Sequence, residues 1–155
     1  MPKVVGIIGY KDSGKTTLAR ALARELAARG YRLAVIKHTS HQIDLPGKDT
    51  ETLLKAAEQV AIVSADATGV FWRKAMGLDD VLAYLDADIV LVEGFKGEKG
   101  YPKIACLRAE PDDGDLFDAH TIAAVGPTDQ VNALDVPVFD RDDIDRIADL
   151  VEQYG

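Results

Sequence analysis

The segment Gly9-Tyr10-Lys11-Asp12-Ser13-Gly14-Lys15-Thr16 constrains this chain more than any other. It satisfies the pattern G-x-x-x-x-G-K-[ST] at every fixed position. Its flanks supply the context that the pattern needs. Val4-Val5-Gly6-Ile7-Ile8 before it reads as a buried strand, and after it Leu18, Leu22 and Leu26 recur on one helical face with Ala19 and Ala23 alongside. Strand, glycine-bearing loop and helix start, in that order, make a cradle for phosphate. The loop turns main-chain N–H groups inward, and the helix adds unpaired N–H groups and the positive end of its dipole. Lys15 is spaced to reach the β- and γ-phosphates and Thr16 to ligate Mg²⁺ through its hydroxyl. The expected nucleotide-binding set is Gly9, Lys11, Asp12, Ser13, Gly14, Lys15, Thr16 and Thr17, with Lys15 also catalytic. The competing reading, a Gly/Ser/Lys turn opening an ordinary helix, is disfavoured by the strand before and the helix after.

The rest of the chain alternates between strand-like and helix-like runs. A first helix is predicted over about Lys15 to Arg29, ended by Gly30, and a strand over Leu33 to Ile36. A polar loop follows from His38 to Lys48, then a helix capped by Asp49 or Thr50 and running to about Glu58. Val60 to Val63 and Val70 to Trp72 read as strands, and Leu78 to Leu85 as a short helix with Val81, Leu82 and Leu85 inward. Ile89 to Val92 is apolar on both faces, which suits the centre of a parallel sheet. Ile104 to Leu107 and Thr121 to Val125 are further strands. A last helix starts near Asp142 with Ile144, Ile147, Ala148 and Val151 at helical spacing. Such alternation predicts β-α-β crossovers: one α/β domain over residues 1–155, a three-layer P-loop NTPase with a mainly parallel central sheet and helices on both faces. The acidic stretch Glu110 to Asp118, which contains Pro111 and Gly114, reads as a solvated surface loop.

Composition narrows the partners. A chain of 155 residues with 47% hydrophobic residues can build one sizeable core. The formal net charge of −8 argues against a nucleic-acid backbone as partner, because such binders present a basic face. A nucleotide needs only a locally positive pocket. No apolar run approaches the ~20 residues that span a bilayer, so no membrane partner is expected. The N-terminus enters the first strand without a leader, and the single cysteine, Cys106, sits in an apolar run as a buried, inert thiol. The expected compartment is the cytoplasm.

Productive handling of a triphosphate also needs a carboxylate near the metal. Glu93 closes the apolar strand and is followed by Gly94. Ligands of open α/β sheets sit outside the carboxyl ends of the strands, where both Gly9–Thr16 and Glu93 fall. Glu93 can bind Mg²⁺ directly, hold one of its waters, or orient a water for attack on the γ-phosphate; it is the second catalytic candidate. Asp88 opens the same strand and belongs at the opposite edge. In the loop Lys37 to Asp49, His38 and His41 alone make a weak metal signal. A switch-like loop fits better, with Asp44 or Asp49 approaching Mg²⁺; Asp49 reads equally as a helix cap. Phe95-Lys96-Gly97-Glu98-Lys99-Gly100 is either a movable cover or a plain connection. Arg73 and Arg108 can meet phosphate or a partner but read first as solvated, and Trp72 as a packing residue.

Five segments taken together resemble the MobB family of molybdopterin-guanine dinucleotide biosynthesis proteins: GYKDSGKTTL (Gly9 to Leu18), IKHTSH (Ile36 to His41), LPGKD (Leu45 to Asp49), VLVEGFK (Val90 to Lys96) and PKIACLR (Pro102 to Arg108). They cover roughly the first two thirds of the chain. The histidine loop ending in PGKD and the EGFK segment are far more specific than the phosphate loop. The resemblance implies a GTP-binding homodimer with slow Mg²⁺-dependent hydrolysis, assisting the guanylyltransferase that joins GMP to molybdopterin. It implies that Lys15, Thr16 and the surrounding loop hold phosphates and Mg²⁺, with Glu93 beside the metal. Family loops often carry more histidines and a longer stretch between His41 and Pro46. No clear [NT]-K-x-D guanine reader is present, Thr128-Asp129 being a faint substitute.

Two other classes remain open from the residues. A small-molecule kinase needs a cationic lid, for which only Lys96, Lys99 and scattered arginines offer themselves. A metal-delivery GTPase needs a cysteine/histidine constellation, which Cys106, His38, His41 and His120 do not compose.

Overall fold

A computed structural model of the chain describes residues 1–127 and 135–154. Its elements run β1 (Lys3–Ile8), α1 (Lys15–Ala28), β2 (Leu33–Lys37), α2 (Lys48–Ala56), β3 (Gln59–Val63), β4 (Thr68–Trp72), α3 (Leu78–Leu82), β5 (Ile89–Glu93), β6 (Lys103–Cys106), β7 (Thr121–Val125), β8 (Val138–Phe139) and α4 (Ile144–Tyr154). They divide into two compact units, one of Met1–His38 with Asp86–Gly155 and one of Thr39–Leu85.

The first unit is built on a six-stranded sheet of order β2-β5-β1-β6-β7-β8, with every neighbouring pair parallel. The chain leaves β1 for β2 on one side and later returns to β6 on the other. β1 therefore stands where the strand order reverses, the place at which open α/β sheets leave a crevice at their carboxyl ends. All five residues of β5 are buried, as its unbroken apolar run predicted. Val5, Ile7, Ile89 and Leu91 meet Leu18, Leu22 and Leu26 of α1 and Ile147 and Val151 of α4 in one cluster. Ile8, Ala105, Leu107 and Ala124 point the other way and meet Leu116. Helical cover thus lies on both faces of an α/β, P-loop NTPase sheet.

The cover on the second face corrects the reading of the acidic stretch as a solvated loop. Pro111–Leu116 is a 3-10 helix, and both Asp113 and Leu116 are buried. The Asp113 carboxylate explains the turn: it accepts the main-chain N–H groups of Arg108 (2.7 Å) and Glu110 (3.1 Å). At the amino edge of the sheet Arg32 pairs with Asp88 at 2.9 Å and Asp86 at 2.7 Å, so Asp88 lies away from the carboxyl rim as expected.

In the second unit β3 and β4 pair antiparallel as a separate two-stranded sheet, rather than joining the parallel one. Only Ser64 to Ala67 connect them, too few for a parallel crossover. Ser64 shapes that turn, its hydroxyl accepting the N–H groups of Asp66 and Ala67. Trp72 packs against Tyr84, ring centroids 5.1 Å apart, the packing role expected for it. The helix α2 begins earlier than predicted. Gly47 is its N-cap at φ +81°, and Asp49 and Thr50 sit inside the first turn instead of capping it. Thr50 donates its hydroxyl back to the Pro46 carbonyl at 2.7 Å. The short α3 exposes Asp79 and Asp80 and buries Leu78, with Val81, Leu82 and Leu85 half-buried.

Candidate nucleotide site

The loop after β1 has the backbone its composition demands. Asp12 lies at φ +59° and Gly14 at φ +88°, so the chain reverses tightly before entering α1. No side chain caps that helix, which leaves its N-terminal N–H groups for a ligand. Gly9 is needed for space: a Cβ there would run into the Ser13 hydroxyl and lie 3.0 Å from the Cys106 carbonyl oxygen. Ser13 is 1% exposed, and its buried hydroxyl has no hydrogen-bond partner among the described residues. A buried unpaired hydroxyl is costly, and an anion in the loop would supply its acceptor. Lys11, Asp12 and Thr17 are exposed.

Two side chains meet at this rim, with Lys15 in electrostatic reach of them. Thr16 donates its hydroxyl to Glu93 Oε1 at 2.8 Å, although the two lie 77 positions apart. Register explains the meeting: Glu93 ends β5 opposite Ile7 of β1 and Lys37 of β2. The turn after it is fixed by Gly94 at φ +98°, whose N–H reaches the Ile7 carbonyl at 3.0 Å. Lys15 Nζ donates to the Tyr10 carbonyl at 2.6 Å. Burial pushes the Lys15 ammonium below its ordinary pKa, against the opposing pull of the Glu93 carboxylate. Glu93 itself is 7% exposed. A hydroxyl beside a buried carboxylate is a hard-oxygen pair, the donor chemistry that suits Mg²⁺.

A residue missed by sequence reasoning completes the cradle. Arg141, in the turn after β8, donates Nη1 to the Ser13 carbonyl at 2.8 Å and Nη2 to the Leu107 carbonyl at 2.7 Å. A Cβ on Gly14 would collide with that guanidinium. Nothing in the spacing of Arg141, 128 positions from Ser13, announces it.

Around the loop, Tyr10 carries Lys96 Nζ 4.0 Å and the Arg108 guanidinium 4.6 Å from its ring centroid. Arg108 is also paired with Asp112 at 2.6 Å, so its charge is answered locally rather than solvated alone. Arg73 donates to the Lys55 carbonyl at 2.7 Å. Phe95, at φ +53°, lies against His38 with ring centroids 4.3 Å apart. His41, Asp44 and Asp49 belong to the second unit; there Asp44 lines an open cleft with Gln42, Leu45 and Lys48. Among the described residues no three His, Cys, Asp or Glu side chains converge as a metal centre. No helix of the described residues is long and apolar enough to cross a membrane. Thr128-Asp129, the faint candidate for base reading, lies outside the described residues.

Known proteins resemble this chain in sequence and fold. The family described as MobB, Molybdopterin guanine dinucleotide synthesis protein B, matches residues 4–127. A putative molybdopterin-guanine dinucleotide biosynthesis adapter protein of Methanocaldococcus jannaschii is 38% identical over 77% of this chain, which spans about half (53%) of that relative's length. The adapter protein of that name from Haemophilus influenzae is 35% identical over 97% of this chain and 88% of its own. The crystal structure of Bacillus subtilis MobB superposes with a TM-score of 0.81 at 25% identity, covering 99% of this chain and 98% of that one. With the match running from β1 through β7 and the fold shared end to end, this chain belongs to the MobB family.

Proposed function

We propose that this chain is a GTP-binding adapter in the biosynthesis of molybdopterin guanine dinucleotide, with slow Mg²⁺-dependent hydrolysis of the nucleotide. The observation that carries the reading is the Thr16–Glu93 pair at 2.8 Å on the rim where the phosphate loop opens. The adapter role is supported by the names of its relatives, and GTP over ATP by family resemblance alone. The same resemblance supports a cytoplasmic homodimer that works beside a guanylyltransferase.

The chemistry follows from the residues. Main-chain N–H groups of the loop and of the first turn of α1 hold the phosphate oxygens, and the Ser13 hydroxyl gains an acceptor. Lys15 exchanges the Tyr10 carbonyl for the β- and γ-phosphates, where its charge is needed most. Mg²⁺, when bound, neutralises phosphate charge and draws electron density from phosphorus. Thr16 and Glu93 are the side chains that would hold it. Glu93 is also the carboxylate nearest Thr16, suited to orienting an attacking water. Slow turnover befits a protein whose nucleotide regulates contact with a partner.

The test is competition calorimetry of the purified protein with GTP, ATP and molybdopterin-type ligands, with phosphate release measured beside it. GTP is expected to bind best, Lys15→Ala to lose triphosphate affinity without unfolding, and Glu93→Gln to keep nucleotide while losing Mg²⁺ dependence or turnover. Unchanged affinity in a folded Lys15→Ala chain would refute the site. Acceptor-dependent ADP formation would make the protein a kinase instead.

A further inference from the structure

Two ammonium groups converge on one residue of the phosphate loop. Lys15 Nζ rests on the Tyr10 carbonyl at 2.6 Å, and Lys96 Nζ lies 4.0 Å above the centre of the Tyr10 ring. Neither lysine has a carboxylate within 4.0 Å among the described residues, in a chain whose formal net charge is −8. Two other cations close to the loop are already answered. Arg108 is paired with Asp112, and Arg141 is held by two main-chain carbonyls. Two like charges held near one another raise each other's energy, and an anion between them relieves it.

The main chain beneath Lys96 is fixed while its side chain is not. The Lys96 carbonyl accepts the buried Lys103 ammonium at 3.2 Å, and Lys103 is held in turn by Asp118 at 2.9 Å. The turn before it is set by Gly94 at φ +98°, Phe95 at φ +53°, and the Glu98 N–H bonded to the Phe95 carbonyl at 3.0 Å. An exposed lysine on an anchored stem, resting on an aromatic face, is held in place weakly. A cation–π contact at an exposed site is worth less than a charge-assisted hydrogen bond to phosphate.

We propose that Lys96 is a second phosphate ligand, which leaves the Tyr10 ring to bind the outermost phosphate of a nucleoside triphosphate and so distinguishes it from the diphosphate. The proposal rests on the reading of Gly9–Thr16 as a nucleotide site. It also gives the Phe95–Gly100 connection a role, since Lys96 carries that segment's charge to the ligand.

Calorimetry with Mg·GTP and Mg·GDP on the full chain tests it. Lys96→Met is expected to weaken GTP about tenfold more than GDP, and Lys96→Arg to restore most of the difference. Lys99→Met, a neighbouring exposed lysine, controls for general charge and should leave the GTP/GDP ratio at the parental value. Equal losses for both nucleotides, no loss, or the same change in Lys99→Met would overturn the role of Lys96 while leaving the phosphate site standing. If the parental chain binds neither nucleotide, the site reading itself fails and the proposal with it.

Discussion

Replacing Arg141 with alanine isolates what holds the phosphate loop in its binding shape. A peptide unit is planar, and its C=O and N–H point in opposite directions. With the Ser13 carbonyl drawn outward to Arg141 Nη1, the Gly14 N–H is turned to the inside of the loop. Arg141→Ala removes that bond and the one to Leu107 at 2.7 Å. Charge-assisted hydrogen bonds are worth ~1.5 kcal/mol each at the low end, and water replaces part of that at an exposed guanidinium, so stability should fall by about 2 kcal/mol. The bond to Ser13 also orients the loop; losing about 1.4 kcal/mol of that orientation is about tenfold in nucleotide affinity. Lysine lacks the forked geometry to reach both carbonyls, so Arg141→Lys should recover only part. Urea unfolding gives the first quantity and GTP calorimetry the second. Lowered stability with unchanged affinity would show that Arg141 merely ties the β8 turn to the sheet, and the peptide-orientation argument would be wrong.

Asp118→Asn should destabilise the chain by about 3 kcal/mol, because it removes the carboxylate charge that answers the fully buried Lys103 ammonium. A loss below about 1 kcal/mol in urea titration would refute that. Burial alone would favour the neutral Asp118 acid, but its bonds from Lys103 and His120 outweigh this and hold the carboxyl below its ordinary pKa. The contribution is therefore present above the unfolded value of about 3.9 and is lost as pH falls through the lower folded one. The gap between parental and Asp118→Asn stabilities should narrow from pH 5 to pH 3, and a constant gap would contradict the assignment. Cys106 is fully buried, and burial pushes its thiol up to about 11 against the opposing charges of Arg141 and Lys15. Thiol reagents at pH 8 should leave the native chain unlabelled and react fully after denaturation; rapid native labelling would contradict the buried strand.

The phosphate loop, its flanking strand and helix, and the glutamate at the end of β5 are local in origin, and local patterns reveal them. Gly9 and Gly14 stand where a Cβ would strike Ser13 and Arg141, so the glycines mark the loop before any coordinates do. The apolar run Ile89 to Val92 likewise identifies a strand buried on both faces. The turn at Glu110 to Leu116 was legible only in part. Its acidic composition suggests solvent, and the signal that Asp113 folds back onto two main-chain N–H groups is the Pro111 that opens the turn. The hairpin of β3 and β4 was legible as two strands, while their pairing required attention to the four-residue connection.

Sequence by itself determined the chemistry available here: which residues can cradle phosphate, which acid can serve a cation, and which runs must be buried. Tertiary structure alone decided which of those residues meet. Placing β5 between β2 and β1 brings Glu93 to Thr16, and carrying the chain through β8 brings Arg141 to Ser13. Hydrophobic periodicity reports which face of an element is buried, but strand order and register depend on the packing of the whole sheet. Partners separated by 77 and 128 positions leave no mark in any local pattern.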